Sequence, residues 1–328
     1  MIPAFPQFID FGSVSYADYQ HCIKDFEAYS DFNYVSIFAW SPPGTCRLSL
    51  LNGNLVLAIK DYLSGETVLT VLGRNDLVAT AVTLLEFAET NDNFKKSLEL
   101  VPAVVAEEIR ATINDLIVEE DHDNHDYILS ASQYATLPGK TFENKRKNIN
   151  KFNRLYGHMT EIRLTDLKDA KQRDNILELS KRWGDWGTDG SVNAKDELVA
   201  ITKLMDNVQQ LLYFSNLHCI ELVIDGKLEG FCVFEILDNE YAVTHFGKAN
   251  IQIDKAYEYM MVQTLRHVNH EFNIDFVNNE QDLGISGLRH SKLAQHPIKF
   301  LKKYSISLNP APQPSEFSNA PELSLIPA

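Results

Sequence analysis

Cysteine is scarce in this chain. Only Cys22, Cys46, Cys219 and Cys232 occur among 328 residues, and no two form a Cys-x-x-Cys pair. That argues against a disulfide framework and points to buried, reduced thiols. No apolar run approaches the roughly 20 residues needed to cross a bilayer. The opening Met1-Ile2-Pro3-Ala4 lacks the basic-then-apolar layout of a leader. The expectation is a soluble, cytoplasmic protein. Positive charge is also in short supply: 30 Lys and Arg stand against 45 Asp and Glu, a net charge of −15. Such a balance disfavours broad binding to nucleic acid or anionic lipid, while leaving room for a local basic site. Gly-x-Ser-x-Gly is absent, no cysteine has an evident histidine partner, and no Gly-x-x-x-x-Gly-Lys loop occurs. A nucleophilic elbow and a P-loop therefore drop out as carriers of the chemistry.

What is present is apolar patterning. Hydrophobic residues make up 45% of the chain, enough for two domains without disulfides or metals. Tyr16–Tyr29 reads as a helix and Phe32–Trp40 as an apolar stretch stopped by Pro42-Pro43-Gly44. Two short strands flank Asn52-Gly53-Asn54, a hairpin signal. A third strand, a helix, a strand, a helix and a strand follow, to Ser130. The second half repeats the order: strands around Asp225-Gly226, a third strand at Tyr241–Phe246, a helix over Lys255–Phe272, a strand at Ile274–Val277, a short helix and a final strand near Tyr304–Leu308. Element order shared at a near-constant offset is the mark of an internal duplication. The expected class is α/β, more closely an α+β mixed sheet, with one domain over 1–131, a second over 132–308 and a disordered Pro- and Ser-rich tail over 309–328. The arrangement resembles two tandem GCN5-related N-acetyltransferase-like domains.

Charge is concentrated in two places. Lys140, Lys145, Arg146, Lys147, Lys151 and Arg154 face a single carboxylate, Glu143. Lys147, Lys151 and Arg154 fall at helical spacing on one face, suited to holding phosphates; a solvated charged face is the alternative. The string Glu119-Glu120-Asp121-His122-Asp123-Asn124-His125-Asp126 holds carboxylates and histidines but no recognised ligand spacing, and is read as an acidic loop without a metal.

Chemistry is densest from Asn279 to Lys292, where a strand-like run opens into carboxylates, amides, two glycines and two cations. Acyl transfer requires a base, a cation or N–H groups for the oxyanion, and a grip on the carrier. Asp282 or Glu280 suits the base. Lys248, Arg289 or Lys292 suits the oxyanion or a carrier phosphate. The expectation is that Lys248 and the start of the helix near Tyr257 converge on this loop. The competing reading is an ion-pair network that only shapes the loop. His245, a lone strand histidine, reads as a hydrogen-bonded core residue.

These blocks carry a family resemblance: Asp126-Tyr127, Gly139-Lys140, Lys145-Arg146-Lys147-Asn148, Lys151-Phe152, Trp183, Lys248-Ala249, Tyr257, Asn279-Glu280-Gln281-Asp282-Leu283-Gly284, Gly287-Leu288-Arg289 and Lys292. In them the chain resembles a soluble bacterial domain family related to the catalytic C-terminal domain of phosphatidylglycerol lysyltransferase. The resemblance implies tandem acetyltransferase-like domains; the membrane enzymes of this superfamily use aminoacyl-tRNA to aminoacylate a lipid, while the group this soluble branch transfers is left open, with no tightly bound cofactor expected. Two departures qualify it. The membrane enzymes' N-terminal transmembrane domain has no counterpart here. The stretch from Gly247 to Tyr259 lacks the glycine-rich pyrophosphate loop of ordinary acetyltransferases, with Ala256 where relatives tend to have glycine. Three readings follow: transfer of an aminoacyl group from tRNA to a soluble amine or hydroxyl, with tRNA held by the basic helix; a coenzyme A-dependent N-acyltransferase; or a non-catalytic module binding a peptide or small ligand.

Overall fold

The computed structural model describes residues 1–60, 65–112, 115–186, 192–237 and 240–309; the expected tail at 310–328 lies outside them. The first half runs β1 (Ile9–Asp10), α1 (Tyr16–Ile23), α2 (Tyr34–Trp40), β2 (Cys46–Leu51), β3 (Asn54–Lys60), β4 (Thr67–Leu72), α3 (Leu77–Glu89), β5 (Phe94–Pro102), α4 (Ala103–Thr112) and β6 (Leu116–Glu120). Then come β7 (Asp126–Ser130), α5 (Ala131–Thr136), α6 (Glu143–Tyr156), β8 (Thr160–Leu164), α7 (Ala170–Trp186) and α8 (Val192–Leu211). The chain closes with β9 (Asn216–Ile224), β10 (Lys227–Ile236), β11 (Tyr241–Ala249), α9 (Ala256–Phe272), β12 (Phe276–Asn278), α10 (Ser286–Leu293), β13 (Lys299–Leu301) and β14 (Lys303–Leu308).

Both hairpin signals act as their chemistry requires. Asn52 and Gly53 sit at φ 53° and 80°, Asp225 and Gly226 at 50° and 74°. Two consecutive residues with positive φ match the twist of the flanking strands. The apolar stretch Phe32–Trp40 resolves into α2. Asn33 caps it by accepting the Ser36 N–H at 2.8 Å. Tyr34, Val35, Ile37 and Ala39 are all buried, so the run is apolar on several sides and shows no helical period.

The strands form two seven-stranded mixed sheets, β1-β2-β3-β4-β5-β14-β6 and β13-β7-β12-β11-β10-β9-β8. Read from β1 and from β8, the two orders correspond place for place. In each, the first four strands are antiparallel, and the fourth and fifth are parallel: β4 with β5, and β11 with β12. The sixth place is exchanged. β14, last in the chain, lies between β5 and β6, whereas β7 lies between β12 and β13. The boundary expected at 131 therefore does not divide the sheets: β7 precedes it yet joins the second sheet, and β14 follows it yet joins the first.

Three apolar cores result. One fills the space between the sheets, with Val35 and Ile37 of α2 and Leu204 and Met205 of α8 against Leu57, Val233, Val243 and Phe246. A second packs α5, α6 and α9 on the other face of the second sheet through Tyr134, Phe152, Met260 and Leu265. The third packs α3 and α4 on the first sheet through Leu84 and Ile109. The first core joins the halves, so the site beside it is built from both.

Candidate active site

Parallel pairing of β11 with β12 lasts three residues, Tyr241–Val243 against Phe276–Asn278. Beyond that β11 runs on to Ala249, while the chain after Asn278 pairs with β7: the Asn279 N–H donates to the Tyr127 carbonyl at 2.8 Å. The strands thus splay apart. Val233 pairs with Phe246 but Phe234 with Thr244, so His245 is the extra residue of a bulge at the mouth of the splay. A bulge bends its strand and re-aims a side chain. Thr244 Oγ1 closes the apex on Asn279 Oδ1 at 2.8 Å.

A chain of polar groups lines the splay. Glu235 Oε2 accepts from Asn33 Nδ2 at 2.8 Å and lies 3.5 Å from His245 Nε2. His245 Nδ1 lies 3.2 Å from Ser36 Oγ, and Ser36 Oγ donates to Glu280 Oε1 at 3.2 Å. The His245 and Glu235 side chains are each 1% exposed, that of Glu280 18%. Glu280 holds a left-handed φ of 55°, with its N–H on Asn278 Oδ1 at 2.7 Å. A non-glycine residue held there marks a position the surroundings over-determine. Burial pushes its carboxyl up to about 7, against the pull of His245 and Lys292. Burial likewise brings Lys292 down to about 8, opposed by Glu280, Asp126 and Asp282. Lys292 donates to the Asn279 carbonyl. A carboxyl and an amine poised near neutrality have the chemistry that a general base and a tunable cation require.

Asp282 and Arg289 do something else. Arg289 grips Asp282 with two N–H groups, at 2.8 and 2.7 Å, and Asp123 at 2.6 Å. Tyr127 donates to the same Asp282 carboxylate, as does the Gly284 N–H at 2.9 Å. Gly284, at φ 72°, leaves the room that Asp123 fills; a Cβ there would meet Asp123 Oδ2 at 2.8 Å. Burial works to raise the Asp282 carboxyl, but Arg289, Tyr127 and Gly284 hold it below the usual range. Both oxygens are engaged and the side chain is 0% exposed, so Asp282 is not free to accept a proton, and Glu280 is the carboxylate of the pair left without such a clasp. Asp282 and Arg289 clasp the loop that presents it.

Lys248 does not join this group. It lies five residues past Val243, roughly 16 Å further along β11. It pairs with Glu197 at 2.6 Å and lies 3.7 Å from the centre of the Trp183 ring. Those three line a narrow slot with Ser180, Ala194, Leu198 and Ile201. Tyr257 is on the far face of the sheet, packed over Gly247.

On α6, Lys145 is buried, bound to Glu258 at 3.2 Å and Gln295 at 3.1 Å. Arg146 donates to the carbonyls of Leu137 and Gly139. Both therefore hold local structure. Lys147 and Lys151 are exposed and carry surface partners, Glu143 at 2.7 Å and Asp254 at 2.6 Å; Arg154 is exposed. The phosphate face shrinks to these three.

Sequence reasoning missed the first-half contributors. Asp126 accepts from the Ser30 N–H at 2.8 Å and from Lys303 at 2.9 Å; Lys303 also pairs with Asp31, and Gln281 accepts from Ser30 at 2.6 Å. The available signal was Asn33 and Ser36 inside an otherwise apolar run.

A family model described as phosphatidylglycerol lysyltransferase, C-terminal, matches residues 81–307. An uncharacterized protein of Mycoplasmoides gallisepticum is 24% identical over 195 residues, 58% of this chain and 58% of that protein's length. A solved structure, a conserved protein of unknown function from Bacteroides thetaiotaomicron, superposes with a TM-score of 0.78 at 25% identity, covering 94% of this chain and 100% of that one. A tandem GNAT protein from the clavulanic acid biosynthesis pathway gives 0.50 at 10% identity, covering 93% and 99%. The fold is thus that of tandem acetyltransferase-like domains. Among the described residues no helix is long and apolar enough to cross a membrane.

Proposed function

The chain belongs to the family of the phosphatidylglycerol lysyltransferase C-terminal domain, one of acyl and aminoacyl transferases in general, and from that premise we propose that it moves an aminoacyl group from aminoacyl-tRNA to an amine or hydroxyl acceptor. Glu280 removes a proton from the acceptor as its nitrogen or oxygen attacks the ester carbonyl. The carbonyl–ribose bond breaks and the proton returns to the departing ribose hydroxyl. Lys292, beside Glu280, offsets the negative charge that develops on the carbonyl oxygen. The chain Glu235–His245–Ser36 fixes the orientation of the Glu280 carboxylate. Lys147, Lys151 and Arg154 face the tRNA phosphates. The observation that carries this reading is Glu280 itself: a carboxyl near pKa 7, in left-handed backbone, between splayed strands.

Calorimetry separates the donors. Charged tRNA is expected to bind and acetyl-coenzyme A to give no heat. Saturable binding of acetyl-coenzyme A with none of charged tRNA would shift the assignment to coenzyme A-dependent acyl transfer.

A further inference from the structure

The loop joining the sheets holds a cluster that the transferase reading does not use. Glu120 ends β6 in the first sheet, and His125 immediately precedes β7 in the second. A 3-10 turn over His122–Asn124 folds the string between them, so residues contiguous in sequence turn their donor atoms to one point. We propose that Glu120, His122 and His125 form a site for a divalent metal of the zinc class, which staples the crossover between the two sheets.

The geometry supports this in three ways. One donor atom from each residue lies within 4.8 Å of the others. Glu120 Oε1 is 3.6 Å from both His122 Nδ1 and His125 Nε2. In a tetrahedral zinc site, bonds of about 2.0–2.1 Å put neighbouring donors about 3.3 Å apart, so the two Glu120–His pairs need close by only a few tenths of an ångström, and the two imidazoles approach from within 4.8 Å. His125 is 5% exposed, and its Nε2 is buried without a hydrogen-bond partner while pointing at the cluster. A buried imidazole nitrogen left unpaired is costly, and a metal bond satisfies it. The donor set, two imidazoles and one carboxylate, suits zinc with water in the fourth place.

Lys302 now occupies part of this space, 3.0 Å from the same Glu120 oxygen. Its side chain is 47% exposed on a flexible stem, so it swings into solvent when a dication replaces it as counter-charge. The metal has no step in the transfer reaction. It holds Glu120 to His125 and thereby the first sheet to the second.

The test uses the untagged full chain. Zinc chloride is titrated in by calorimetry, and cobalt(II) is added in parallel to look for the visible absorption of tetrahedral coordination. His122 is exposed, so His122→Ala retains the fold; Glu120→Gln is its companion. The expected result is one equivalent of metal with the tetrahedral cobalt spectrum, weakened more than roughly tenfold in both variants, since even supporting partners of a metal ligand contribute 10- to 100-fold. Absence of binding would overturn the proposal. So would binding that both variants retain unchanged, which would place the metal on another surface histidine.

Discussion

Glu280 is the residue on which the account turns, and its protonation gives a first prediction. Burial raises its carboxyl to about 7, and the Ser36 hydrogen bond pulls the other way. A base works only when deprotonated. The logarithm of kcat/KM should therefore climb with pH up to about 7 and then level off. Removing the Ser36 hydroxyl takes away a bond to the charged form, so Ser36→Ala should move this limb to higher pH. A pH–rate profile of both proteins checks it; a limb near the ordinary carboxylate range would assign the base elsewhere. The sequence offered Glu280 as a candidate base but not its preference over Asp282. Glu280 and Asp282 are two positions apart in one polar loop and were equal candidates there. They are separated by the left-handed backbone at Glu280 and by the Arg289 and Tyr127 bonds that occupy Asp282. Asn33 and Ser36 stand 202 and 244 positions from Glu235 and Glu280, the carboxylates they bind, a separation that local patterning does not encode.

At the scale of elements, α6 shows how a charge pattern divides on folding. Of the three apolar residues at helical spacing, Ile149 and Phe152 enter the core, whereas Leu155 is left 41% exposed. The spacing gave no reason to separate Lys145, which is buried on Glu258, from Lys147 and Lys151, which face solvent. The partners of the last two are surface ion pairs, weak in water and readily exchanged for phosphate. Lys147→Glu with Lys151→Glu should weaken charged-tRNA binding and lower the slope of log K against log salt by about two. Filter binding at several salt concentrations measures this; an unchanged slope would remove α6 from the tRNA surface. The two hairpins were readable from sequence because Asn52-Gly53 and Asp225-Gly226 each supply two positive-φ residues. The helical state of Tyr34–Trp40 was hidden because burial on several sides erased its period.

The whole molecule is held together by an exchange of strands that element order alone did not disclose. Strand β14 completes the first sheet and β7 the second, so each half needs a strand that the boundary at 131 assigns to the other. Lys303, fully buried, anchors the return of the chain on Asp126 and Asp31. Its own burial opposes its charge, and the two carboxylates more than offset that. Lys303→Met leaves two buried carboxylates facing each other without a cation, a change expected to cost about 3–5 kcal/mol. Urea unfolding should show that loss in a single transition for the entire chain; a loss under about 1 kcal/mol would deny the anchor its role.

The role of Glu280 is decided by single-turnover transfer of a labelled amino acid from bulk aminoacyl-tRNA, comparing the native protein with Glu280→Gln. The native protein is expected to transfer, the variant to be slower by about 10²–10⁴-fold, and both to bind charged tRNA with the same affinity. A variant that transfers as fast as the native protein, or a native protein that transfers from no aminoacyl-tRNA, would contradict that role.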